Sequence, residues 1–163
     1  MERETEGIYS MYIKHDSLIS NYLSIIKYAS ETSDTFSFIT MQNKPFSKRP
    51  PVCVHDEYLE RLKPFLKSQE IGIQKWPNTI TGDRHKVMNV YKSCKETKKI
   101  LQEYGNPFIF CVEMPEDICF YRNGKPWFVT TSHERIAYLE QTTSNDIKFF
   151  ENWFALKLSE VFK

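Results

Sequence analysis

The chain has 163 residues, 22 Lys and Arg against 21 Asp and Glu, and 40% hydrophobic residues, the balance of a folded domain rather than of a disordered tail or a fibre. A domain of this length buries roughly 68–70% of the surface its unfolded chain exposes, so one core over residues 1–163 is expected to hold without disulfide or metal staples. A net charge of +1 speaks against a dedicated polyanion binder, which needs a cationic excess. With five glycines and neither G-x-G-x-x-G nor G-x-x-x-x-G-K-S/T, nucleotide-dependent chemistry is not expected, nor is any cofactor.

Met1-Glu2-Arg3-Glu4-Thr5-Glu6-Gly7 is charged and lacks the apolar stretch of a signal peptide. The apolar-rich run from Leu18 to Ala29 is broken by Ser20, Asn21, Ser24 and Lys27, too polar for a membrane span. The expectation is a cytoplasmic protein without membrane association. There, Cys53, Cys94, Cys111 and Cys119, with no C-x-x-C spacing, are buried or inert thiols.

Asp16 or Ser17 can cap a first helix whose stripe is Leu18, Tyr22, Ile25, Ile26 and Ala29. Phe36 to Met41 alternates as a strand with Phe36 and Phe38 on one face, and the Pro- and Lys-rich stretch from Asn43 to Pro51 reads as an ordered loop or a linker. Helical spacing resumes from Asp56 to about Ser68, interrupted at Pro64, which must kink that helix or start another. After a turn-rich connection from Trp76 to Asp83, the spacing of Val87, Val90, Tyr91, Cys94, Thr97 and Leu101 predicts a further helix, stopped by Gly105 and Pro107.

Phe108 to Met114 reads as a mostly buried strand. Asn123-Gly124 is the favoured type I′ dipeptide, so a hairpin is predicted with Arg122 opposite Lys125, Phe120 opposite Trp127, Cys119 opposite Phe128 and Ile118 opposite Val129. That register gives one apolar face of Ile118, Phe120, Trp127 and Val129. Ile136 to Glu140 reads as a further strand, in preference to a helix started by a capping box at Thr131-Ser132-His133-Glu134. A last helix, capped by Thr143 or Ser144 with Asp146 in its first turn, is expected to run to the terminus along Ile147, Phe150, Phe154, Leu158 and Val161. Phe149, Trp153 and Leu156 widen its apolar arc, which is either buried on both sides or offered in part to a partner. These elements make an α+β fold: a small, mainly antiparallel sheet with helices against one face.

Candidate chemistry is sparse. His133-Glu134 starts like H-E-x-x-H, but the second His is replaced by Ala137, and His15, His55, His85 and His133 are scattered, so no metal site is expected. Glu116 and Asp117 at the hairpin start lie near Thr130 and Thr131 in the predicted register, and His133 can approach from the strand end. Asp117, His133 and Glu134 would form an acid–base set for a small hydrolase if burial moved a carboxylate towards neutrality. The bland alternative is a solvated Pro115-Glu116-Asp117 turn. Arg84, Lys86, Lys92, Lys95, Lys98 and Lys99 make residues 83–99 locally basic, an ordinary solvated helix face, a steering patch for an acidic partner, or, more weakly, the contact of a nucleic-acid-associated regulator.

The string Pro115-Glu116-Asp117-Ile118-Cys119-Phe120-Tyr121-Arg122-Asn123-Gly124, then Trp127 and Ser132-His133-Glu134, with Trp76-Pro77-Asn78-Thr79 upstream, resembles the immunity proteins of bacterial contact-dependent or polymorphic toxin systems, over roughly residues 76–140. The resemblance implies an antitoxin without enzymatic activity: a cytoplasmic protein that binds a cognate toxin, often a nuclease, and occludes its active site. The expected contact residues are Glu116, Asp117, Tyr121, Arg122, His133 and Glu134, which one hairpin and its exit would present together. Against a nuclease's basic groove, Glu116, Asp117 and Glu134 would mimic phosphate charge.

Overall fold

The computed structural model describes residues 11–41, 56–82, 84–103 and 115–156. The strand expected over Phe108–Met114, the loop from Asn43 to Pro51, the stop at Gly105 and two of the four cysteines, Cys53 and Cys111, lie outside these residues. Among the described residues the order is β1 (Met11–Ile13), α1 (His15–Ser20), α2 (Tyr22–Glu31), β2 (Thr35–Met41), α3 (Asp56–Leu62), a 3₁₀ turn (Lys63–Phe65), β3 (Leu66–Ile71), β4 (Lys75–Trp76), β5 (Thr79–Ile80), β6 (Lys86–Lys92), α4 (Lys95–Glu103), β7 (Glu116–Arg122), β8 (Lys125–Thr131), β9 (Ile136–Leu139), α5 (Ser144–Phe150) and β10 (Phe154–Leu156). None of the described helices is long and apolar enough to cross a membrane.

The fold is α+β. Eight strands form a sheet in the order β10-β1-β9-β8-β7-β2-β6-β3 with every neighbouring pair antiparallel, larger than the small sheet expected. Side chains alternate across it. Phe36, Phe38 and Tyr91 of β2 and β6, Phe120 of β7 and Phe128 of β8 turn to one face, where Leu18, Tyr22, Ile25, Ile26 and Ala29 of α1 and α2 meet Leu62, Ile100, Leu101 and Phe150 from the other helices. The predicted stripe is thus buried to the last member, although it belongs to two helices that meet at Asn21 and start without the expected Asp16 or Ser17 cap. The opposite face carries two smaller clusters. Ile39 and Met88 pack with Ile73 of the β3–β4 connection and Trp76 of β4, and Cys119, Val129 and Tyr138 with Tyr12, Tyr121 and Ile136.

Several expectations change. The helix predicted to reach Ser68 ends at Leu62, Pro64 sits in the 3₁₀ turn, and the chain continues as β3, because proline cannot supply the next helical hydrogen bond. The helix read from Val87 to Leu101 is a strand followed by a helix. Val87, Asn89 and Tyr91 are its buried positions, and the polar Asn89 hid the alternation. Asn89 is accommodated by accepting from Gln69 at 2.7 Å and donating to Thr40 Oγ1 at 2.9 Å. The basic segment 83–99 therefore presents no single helix face.

The Asn123-Gly124 turn forms with both φ angles positive, 50° and 73°, as type I′ requires. Arg122 pairs with Lys125 as predicted, but the next pairs are Tyr121 with Pro126, Phe120 with Phe128 and Cys119 with Val129. Trp127 is the extra residue of a bulge. It places Trp127 and Phe128 together on the helical face and sends Val129 to the other, correcting the predicted apolar set. Ile136–Leu139 is a strand, as preferred, while Ser132–Arg135 form a turn closed by Arg135 N–H donating to Ser132 O. At the C-terminal side, Thr143 caps α5 with a reciprocal box to Asp146, but the helix stops at Phe150 rather than running on. The wide arc is explained by that stop. Phe149 stacks on Tyr28 at 4.1 Å while Trp153, beyond the helix, meets the edges of Phe149 and Phe150.

Candidate functional site

The segments singled out in the sequence, around Trp76, Glu116 and Ser132, converge on the face away from the helices. The meeting point is Asp117, the extra residue where β7 bulges against β2. Its φ of 54° is left-handed, a conformation that Asp tolerates better than most residues because its short side chain bonds locally. The Asp117 carboxylate accepts from the Ser132 N–H at 2.6 Å and from Trp76 Nε1–H at 2.8 Å, and the Asp117 N–H donates to Ser132 Oγ at 2.9 Å. Asp117 is 3% exposed. Each contact satisfies a polar group that would be costly to bury alone.

Neighbouring contacts extend this lock. Glu116 is buried and pairs with Lys86 of β6. Trp76-Pro77-Asn78-Thr79 is a two-residue turn between β4 and β5 with Asn78 at φ 63°, and Pro followed by a left-handed Asn is the pattern of a type II turn. Asn78 Nδ2 donates to Thr131 Oγ1 at 2.9 Å. The β4–β5 turn is thereby fastened against the end of β8, beside the Ser132–Arg135 turn. Each segment contributes its own part of an exposed rim: the Ser132–Arg135 turn carries His133 and Glu134, 3.7 Å apart, and Arg135, and β5, two residues past Asn78, carries Ile80, which at 78% is the most exposed large hydrophobic described.

A different arrangement occupies the other end of the hairpin. Arg122 donates to both carboxylate oxygens of Asp146 at 2.7 and 2.8 Å, to Thr32 O at 2.8 Å and to Thr32 Oγ1 at 2.9 Å, while its guanidinium lies 3.6 Å over the Trp127 ring. Such a bidentate, stacked pair is the strong form of a salt bridge. Asp146, fully buried, also accepts from Tyr28 Oη and from the Thr143 N–H. Burial alone would push its carboxyl up, but Arg122, Thr143 and Tyr28 outweigh it and hold it below the usual carboxylate range. Tyr121 is half-buried, its hydroxyl 3.0 Å from Ser37 Oγ.

The six expected contact residues are therefore not presented together. Asp117 and Arg122 are five strand residues apart, roughly 17 Å at about 3.4 Å per residue, and turn to opposite faces. Glu116, Asp117 and Arg122 spend their charge inside the fold, which removes Glu116 and Asp117 as exposed phosphate mimics. His133 and Glu134 remain at the surface. Of the acid–base set of Asp117, His133 and Glu134, the Asp117 carboxylate is committed to Trp76 and Ser132. Within the basic segment, Lys86 serves Glu116 and Lys98 pairs with Glu31 at 2.6 Å, leaving exposed Arg84 before β6, Lys92 at the end of β6, and Lys95 and Lys99 on α4. Burial pushes the Cys119 thiol up, in keeping with an inert thiol. No group of three or more His, Cys, Asp and Glu suited to a metal occurs among the described residues.

Ile80 was missed by the sequence reading, because a single isoleucine beside a turn carries no periodic signal. Lys125 and Gln141, which with Arg122 line a cleft at the hairpin turn, were missed for the same reason. No protein-family model, curated protein or solved structure matches this chain.

Proposed function

We propose that this chain is an immunity protein, an antitoxin that binds and neutralises a cognate bacterial toxin in the cytoplasm, without chemistry of its own. The observation that supports it most is the use made of the polar residues carrying the resemblance. Trp76, Asn78, Asp117 and Ser132 hold two turns side by side, and those turns present Ile80, His133, Glu134 and Arg135 on a stiff rim. A surface on fastened turns that carries both an exposed apolar side chain and charged ones suits tight protein recognition, because little ordering is left to be done on binding. In this reading Glu116 and Asp117 position the contact surface and His133 and Glu134 belong to it.

Affinity capture from nuclease-treated lysate of the native host tests the proposal. A single stoichiometric partner, toxic when expressed alone and harmless when expressed with this chain, is the expected result. A captured partner whose toxicity is unchanged by co-expression would contradict it, as would capture of none.

A further inference from the structure

Beyond that reading, the turn end of the hairpin carries a cleft that the rim does not explain. It measures about 280 Å³ and is lined by Arg122, Asn123, Lys125, Trp127, Gln141 and Thr143. We propose that it is a binding site for one carboxylate group, held by the Lys125 ammonium and the exposed amides of Asn123 and Gln141.

Charge selects the ligand. The lining has two cations and no acidic side chain. Arg122 is neutralised from behind by Asp146, so it contributes shape and its outer edge rather than net charge. Lys125 is exposed and has no carboxylate partner among the described residues. Asp34, whose carboxylate accepts from the Asn123 N–H, stands beside the turn but outside the lining, so within the lining Lys125 is the cation left without a carboxylate, and the planar carboxylate is the group that amide and ammonium donors satisfy together.

The walls are pre-formed. Trp127, 1% exposed, is the floor, and Arg122 is fixed over it by four hydrogen bonds. Asn123 and Gln141 both stand in left-handed backbone, at φ 50° and 47°. For Asn123 the type I′ turn requires this, with Asp34 Oδ2 accepting from the Asn123 N–H at 2.7 Å. Gln141 belongs to the β9–α5 connection, where the Glu140 N–H donates to Trp127 O at 2.7 Å. Left-handed backbone at a glutamine is uncommon and carries strain of the sort that collects at ligand sites. Here it belongs to a residue that lines the cleft together with Lys125.

The carboxylate can come from a free small acid or from an acidic side chain of a peptide. The test is a titration of the ¹⁵N-labelled chain with sodium acetate, with glutarate and with the peptide acetyl-Gly-Glu-Gly-amide, against sodium chloride at equal ionic strength. Expected are saturable shifts at the Trp127 indole N–H, Arg122 Nε and the Gln141 amides, weakened by about tenfold in Lys125→Met, the loss of roughly 1.4 kcal/mol. Lys148→Met, on the exposed side of α5 and outside the lining, should bind as the parent does. Saturation by acetate and glutarate alone assigns a free acid, and saturation by the peptide assigns a side chain. Linear, scattered shifts like those from chloride, or binding unchanged in Lys125→Met, would overturn the site whatever the fate of the immunity reading.

Discussion

The two ends of one β-hairpin solve the problem of a buried carboxylate in different ways. At the open end, Asp117 is held by neutral donors, an indole N–H and a backbone N–H, at a bulge. At the turn end, Asp146 is met by a bidentate guanidinium, a phenol and a backbone N–H. The first arrangement ties two turns together and leaves a protruding rim. The second ties a helix start to the sheet and leaves a recess. The lesson is that polar residues in a suggestive cluster can serve a site through shape alone, by fixing the surface next to them.

Breaking the charged end should cost most. Asp146→Ala strands Arg122 over Trp127 and is expected to lose about 3–5 kcal/mol, the range for removing one partner of a buried pair. Urea unfolding followed by far-UV circular dichroism reads this as a lower midpoint at unchanged slope. The same contrast has a pH form. Because the folded Asp146 carboxyl lies below its ordinary value of about 3.9, its stabilisation is complete above that value and fades as pH falls through the folded value. The stability gap between parent and Asp146→Ala should therefore narrow as pH is lowered from 5 to 2.5, and a gap that widens would reverse the assignment.

The neutral end should be softer. Trp76→Phe keeps most of the apolar body but removes the donor to Asp117, and about 1–3 kcal/mol is expected for the unsatisfied carboxylate oxygen. Amide exchange should accelerate at Ser132 and Thr131 and stay unchanged at Arg122, which separates the two ends directly. Thr143→Ala removes the cap of α5 and is expected to cost about 1 kcal/mol by the same urea assay. Smallest of all, Ile80→Asp, His133→Ala and Glu134→Ala alter exposed rim positions and should each shift stability by less than about 0.5 kcal/mol.

The parts legible in the sequence were those with a local cause. Asn123-Gly124 specified its turn because few other residues accept two left-handed angles, and the Leu18 to Ala29 stripe and the Thr143 cap were equally local. Illegible parts had distant causes. β6 looked helical because Asn89 fills a core position only by bonding to β2 and β3. β3 carries no alternation because as an edge strand it is exposed throughout. The bulge places Trp127 against Arg122 and Tyr28, contacts that are distant or hidden in the sequence, and it shifts the hairpin register beyond Tyr121. The candidate site was half legible: its segments were identified, but burial, which takes the Glu116 and Asp117 carboxylates from solvent to partners inside the fold, is a tertiary property.

The central claim is that the rim contacts the partner while the lock beneath it only positions the rim. Calorimetric titration of the captured toxin domain tests this most directly, using the parent and the combined Ile80→Asp, His133→Ala, Glu134→Ala variant. At least about a hundredfold weaker binding is expected, roughly 2.7 kcal/mol, with the variant's melting temperature within a few degrees of the parent's. Unchanged affinity in a folded variant would contradict it and move the interface elsewhere on the chain.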